Sequence, residues 1–115
     1  MEKCFWSWLD ELIKSSEIVI DRPKGTRHPR YPDFIIPLDY GYLKGTTGGD
    51  GNGVDIWQGM AGHRKLTAIA CTVDIVKRDA EIKLIIGCTD EEIAIIDSFH
   101  NGPYQSAIII KREAV

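Results

Sequence analysis

The chain has no apolar run near the roughly 18 residues that a membrane-spanning helix needs, which excludes a bilayer crossing of that kind. It has no basic excess either. Fourteen Lys and Arg against 17 Asp and Glu leave a formal net charge of −3, which argues against a nucleic-acid binder that relies on bulk charge. Cysteine is scarce: Cys4, Cys71 and Cys88 are widely spaced and form no C-x-x-C pair. Cys71 and Cys88 sit in apolar runs, where a free thiol behaves as a small hydrophobe. The N-terminal Met1-Glu2-Lys3-Cys4-Phe5-Trp6 lacks the apolar core of a signal peptide, so the expectation is a reducing, cytoplasmic setting. No G-x-x-x-x-G-K-[ST] phosphate loop occurs. What remains is 115 residues, 43% hydrophobic and 27% charged, the size and composition of one domain spanning 1–115.

Phe5, Trp8, Leu9, Leu12 and Ile13 recur at three- and four-residue steps, which predicts an amphipathic helix ending at Ser15-Ser16. Glu17 to Asp21 reads as a strand stopped by Pro23, and Lys24 to Pro32 as irregular. Strand-like pieces follow at Phe34 to Ile36, Tyr40 to Leu43 and Val54 to Gln58. Two longer ones run from Leu66 to Val76 and from Glu81 to Ile86. Thr89-Asp90-Glu91-Glu92 is a capping box for a second helix that points Ile93, Ile96 and Phe99 inward and stops at Asn101-Gly102-Pro103. Ser106 to Lys111 closes the series as a strand. Short strands, two helices and no βαβ rhythm indicate a mainly β (α+β) domain built as a small twisted sheet or barrel.

The chemistry concentrates in Thr46-Thr47-Gly48-Gly49-Asp50-Gly51-Asn52-Gly53-Val54-Asp55, preceded by Pro37-Leu38-Asp39-Tyr40-Gly41-Tyr42. Four glycines among six residues allow a tight turn, and Asp50 and Asp55 flank it. Convergent carboxylate oxygens suit a hard divalent cation such as Mg²⁺. An EF-hand is excluded, because Val54 and Asp55 stand where a ligand and the obligatory glycine belong. A plain turn rich in Asp, Asn and Gly is the alternative.

These segments resemble the soluble family I inorganic pyrophosphatases. The resemblance rests on Asp21-Arg22-Pro23, on Pro37 to Tyr42, on Thr46 to Asp55 and on Asp79-Ala80-Glu81-Ile82-Lys83-Leu84, over roughly residues 17 to 100. It implies a five-stranded OB-like barrel with flanking helices at the N-terminus and near the C-terminus. It also implies hydrolysis of pyrophosphate to phosphate by water activated on Mg²⁺ or Mn²⁺. By that resemblance Asp50, Asp55 and Glu81 are metal ligands, with Asp55 bridging. Tyr40 bonds within the site, Lys83 neutralises phosphate oxygens and Asp21 stands at its edge. A solvated pair on an exposed strand face is the alternative for Glu81 and Lys83.

The sequence departs from the family in four places. Asn52 replaces the aspartate favoured as general base; its amide can accept a hydrogen bond or coordinate a cation but takes no proton near neutral pH. The segment between Asp21 and Pro37 is shortened, and Lys24, Arg27, His28 and Arg30 fall where a basic hairpin would hold phosphate. Arginine suits bidentate phosphate contacts, so Lys24, Arg27 and Arg30 are the substrate-binding candidates outside the metal core. Val76 occupies the place of a further family aspartate, which Asp74 or Asp79 would have to replace. The C-terminal Tyr-Lys pair is missing; Phe99-His100-Asn101 closes the helix there, with His100 expected as a dipole-favoured terminal histidine.

The resulting expectation is a Mg²⁺-dependent pyrophosphatase-like hydrolase using Asp55, Asn52, Tyr40 and Lys83. It would act on pyrophosphate or a related small phosphate compound and self-associate, with no nucleic-acid or membrane partner. Two alternatives stay open: a metal- and phosphate-binding module without turnover, and a phosphohydrolase for another small phosphate compound.

Overall fold

The structure is a computed structural model that describes residues 4–113. Helix α1 (Phe5–Lys14) leads into strands β1 (Ile18–Arg22), β2 (Asp39–Leu43), β3 (Val54–Gln58), β4 (Leu66–Asp74) and β5 (Asp79–Ile86). Helix α2 (Asp90–His100) and strand β6 (Gln105–Lys111) complete the described fold. The strands form one six-stranded sheet in the order β1-β2-β3-β5-β4-β6. All neighbours are antiparallel except β3 and β5, which run parallel because β5 inserts between β3 and its hairpin partner β4.

The architecture is mainly β with the two expected helices. The sheet differs from the implied five-stranded barrel in a specific way. Gln105 to Lys111 adds a sixth strand outside β4, β1 holds the opposite edge, and the two edges do not pair. The sheet is therefore open. Phe34 to Ile36 is no regular strand, since Pro32 and Pro37 bracket it and only an isolated Arg27–Ile35 bridge forms.

Period-two alternation sends residues to two separate apolar clusters. Trp57, Ile85, Ala68 and Ala70 pack with Ile93 and Ile96 of α2 on one face. Ile56, Leu84 and Ile69 pack on the other, where Trp6, Leu9, Leu12 and Ile13 of α1 lie over them. Leu66 joins the α1 side although its parity matches Ala68; a register shift between these two residues reverses the alternation. Arg112 ties the sheet to α1 with two 2.8 Å bonds to Asp10. The capping box is formed as expected: Thr89 Oγ1 accepts from Glu92 N at 3.2 Å and Glu92 Oε1 accepts from Thr89 N at 2.9 Å.

Candidate metal and phosphate site

The face that carries Trp57 and Ile85 into the α2 core turns polar at the start of β3. There Asp55 comes from β3, Tyr40 from β2, and Glu81 and Lys83 from β5, all on strands that are neighbours in the sheet. The glycine loop between β2 and β3 brings the third carboxylate. Thr46 fastens its base, donating from Oγ1 to Leu43 O at 2.6 Å and accepting from Val54 N at 2.9 Å. Gly51 turns the tip at φ +86°, where a side chain would be strained. Gly49 lies so close to β5 that a Cβ would stand 2.7 Å from Ala80 O. That approach sets Asp50 beside Glu81.

One ligand atom from each of Asp50, Asp55 and Glu81 lies within 4.8 Å of the others. Lys83 sits among them: Nζ donates to Tyr40 Oη at 2.7 Å, Asp55 Oδ2 at 2.8 Å and Glu81 Oε2 at 2.9 Å. An ammonium has three N–H donors, so these bonds use all of them. Glu81 is only 9% exposed, and its Oε1 is buried with no hydrogen-bond partner. The pair is thus buried, not a solvated strand-face pair.

The electrostatics follow from this packing. Burial raises the Tyr40 pKa, so its phenol is neutral at ordinary pH. Burial works against the charged form of Lys83, but Tyr40 and Asp55 outweigh it and hold the pKa above its ordinary value. Burial pushes Glu81 upward while Lys83 opposes the rise. Asp50 is exposed, and the Asn52 backbone N–H, 2.9 Å from Oδ1, holds its carboxyl below the usual value. Lys83 serves two of the three carboxyl groups, and Asp50 forms no ion pair among the described residues. A buried carboxylate oxygen without a partner, in an all-oxygen donor set, fits a hard divalent cation.

A cleft of about 440 Å³ opens beside the cluster, lined by Asp50, Asn52, Asp55 and Tyr40 and by Asp21, Arg22 and Lys77. Nothing local in the sequence marks Arg22 or Lys77 as a cleft residue. A register shift between Ile20 and Arg22 interrupts the β1–β2 pairing at the cleft, and bulges of this kind carry no sequence signature. Lys77 sits on the β4–β5 turn, which Asp74 Oδ1 organises by accepting from Val76 N and Lys77 N at 3.0 Å. Asp74 and Asp79 therefore have local partners, Asp79 pairing with Lys77 at 3.8 Å, and neither joins the clustered carboxylates.

Lys24, Arg27 and Arg30 lie exposed on the β1–β2 loop and do not line this cleft. Lys24 N donates to Asp39 Oδ1 at 2.8 Å, and Arg27 Nη1 donates to Pro32 O at 3.1 Å. His100 differs from the expected charged helix terminus. It is 4% exposed and accepts from Trp57 Nε1 at 2.9 Å through Nε2. Burial and then the Lys83 charge lower its pKa to about 4, so it is a neutral core histidine and not a charged helix terminus.

The chain matches no protein-family model and no curated protein. Among solved structures it is similar to an inorganic pyrophosphatase from the pathogenic bacterium Helicobacter pylori. The TM-score is 0.54 with 16% sequence identity, over 82% of this chain and 81% of that one. At that identity the likeness shows a shared fold, a distant pyrophosphatase-like one of OB type. No described helix is long and apolar enough to cross a membrane.

Proposed function

We propose that this chain is a divalent-cation-dependent hydrolase of phosphoanhydride bonds, with inorganic pyrophosphate as its smallest substrate. One observation carries the proposal: Asp50, Asp55 and Glu81 converge within 4.8 Å while the buried Glu81 Oε1 has no protein partner. Asp50, Asp55 and Glu81 would hold Mg²⁺ or Mn²⁺. Such a cation, when bound, lowers the pKa of coordinated water and screens the charge of the phosphates.

The chain's own groups supply the rest. Lys83 fixes the Asp55 and Glu81 carboxylates through its hydrogen bonds and keeps a positive charge beside the cleft. Tyr40, neutral and bonded to Lys83, orients that ammonium. Arg22 and Lys77 at the rim attract and neutralise phosphate oxygens. Lys24, Arg27 and Arg30 add positive field along the approach. Asn52, lining the cleft, orients water through its amide oxygen, and the proton leaves to solvent because an amide does not accept it. Exposed Val73, Ile82, Ile108 and Ile110 on the sheet support self-association through that surface.

Phosphate release from pyrophosphate with Mg²⁺, measured from pH 6 to 9, is the test. Turnover above the metal-only blank supports hydrolysis. A folded protein that releases none contradicts it. Asn52 also favours a second reading, a module that binds phosphate compounds without cleaving them. Calorimetric binding of pyrophosphate with Mg²⁺ and no phosphate release would select that alternative.

A further inference from the structure

Arg22, which lines the cleft, also touches a built aromatic surface through His28. Between β1 and β2 the chain doubles back on itself: Gly25 N bonds Ile36 O, Ile36 N bonds Thr26 O, and His28 N bonds Phe34 O, each at 2.8 Å. This small frame carries His28, Tyr31 and Phe34. The His28 and Tyr31 rings lie 5.2 Å apart at 39°, and Tyr31 meets Phe34 edge-on at 6.3 Å. Yet Tyr31 is 47% exposed and Phe34 58% exposed. Two packed aromatic rings held by a fixed frame and left facing water make a platform for another flat group.

The platform joins the cleft through Arg22. His28 Nδ1 accepts from the amides of Arg30 at 3.1 Å and Tyr31 at 3.2 Å, which places the ring proton on Nε2. That nitrogen faces Arg22 Nη1 at 3.4 Å, a donor set against a donor. Among the described residues Arg22 forms no ion pair with a carboxylate; its guanidinium lies 5.5 Å from the centre of the Tyr40 ring. Two adjacent donors without an acceptor between them suit an anionic oxygen, and charge-assisted bonds to phosphate have that form. Across the cleft Lys77 supplies a second cation, half-exposed and only loosely paired with Asp79. The cleft, about 440 Å³, is larger than two phosphates fill and falls in the usual range for small-molecule sites.

We propose that the substrate class of this site is a nucleoside di- or polyphosphate. Its phosphates would lie on Arg22, His28 and Lys77 beside the Asp50, Asp55 and Glu81 cluster, and its base on Tyr31 and Phe34. The proposal rests on the phosphoanhydride reading above. Stacking supplies affinity without selecting among bases, because every base has a π face.

Titration calorimetry with Mg²⁺ and two probes, ADP and imidodiphosphate, tests it. ADP should bind at least about tenfold more tightly than imidodiphosphate, the scale of one stacked base. The double substitution Tyr31→Ala and Phe34→Ala should bring the ratio of the two affinities to about one. Circular dichroism should show that variant folded, since both side chains are exposed. Arg22→Ala should weaken both probes. If imidodiphosphate binds and ADP gains nothing over it, or if the ADP advantage survives the double substitution, the nucleotide assignment is overturned while the phosphoanhydride reading stands. If neither probe binds, both fall.

Discussion

Lys83, in the middle of β5, places its ammonium 2.8 Å from the Asp55 carboxylate on β3, across the one parallel seam of the sheet. The same nitrogen holds Glu81 at 2.9 Å, so a single cation is the local counter-charge of two carboxylates. Removing it leaves the buried Glu81 carboxyl without its counter-charge. Lys83→Met is expected to destabilise the fold by about 3–5 kcal/mol, the scale for breaking a buried pair by deleting one partner. Urea denaturation measures this. A loss below about 1 kcal/mol would mean that the trio behaves as a solvated surface pair.

Gly49 controls whether Asp50 reaches the cluster. A Cβ there would stand 2.7 Å from Ala80 O, a backbone atom that cannot swing away. Gly49→Ala is expected to push the loop off β5 and weaken Mn²⁺ binding by about 10–100-fold, as when a residue that positions a metal ligand is lost. Calorimetry of Mn²⁺ binding checks it. An unchanged affinity would show that Asp50 contributes nothing to the site.

Much of this arrangement is legible in the sequence, and the reason is local. Period-two spacing alone puts Glu81 and Lys83 on one face, and Thr89 with Glu92 announces its own helix start. The two helices and strands β2, β3 and β5 likewise follow from patterns contained within a few residues. What depends on distant packing is hidden. His100 reads as a helix end until Trp57, 43 positions away, proves to donate to it. Arg22 and Lys77 line one cleft although one ends β1 and the other sits on the turn between β4 and β5, a relation that no pattern within a few residues can reveal. Lys24, Arg27 and Arg30 look like phosphate ligands by composition, while Pro32 O and the loop frame give Arg27 a local role.

His100 makes stability depend on pH. Its folded pKa of about 4 lies below the ordinary 6.5, so the unfolded chain binds the proton more tightly. Stability from this group is complete above pH 6.5 and is lost as pH falls from there through 4, by ~3 kcal/mol in all. The melting temperature should fall across that window, and His100→Gln, which keeps an acceptor for Trp57, should flatten the fall. An equally steep decline in the variant would assign the acid sensitivity to other groups.

Asn52 lines the cleft without a titrating group. Positioned acid–base catalysis contributes about 10²–10⁴-fold, so Asn52→Asp should raise phosphate release from pyrophosphate by at least about tenfold. Steady-state rates with saturating Mg²⁺ test this. An unchanged rate would mean that position 52 does not face the attacking water.

The most direct test is anomalous diffraction from a crystal soaked with Mn²⁺ and phosphate. The account predicts a peak at bonding distance, roughly 2.0–2.3 Å, from oxygens of Asp50, Asp55 and Glu81, with phosphate toward Arg22 and Lys77. Occupied Mn²⁺ sites elsewhere, with Lys83 still bonded to Asp55 and Glu81 and no peak among the three carboxylates, would contradict it.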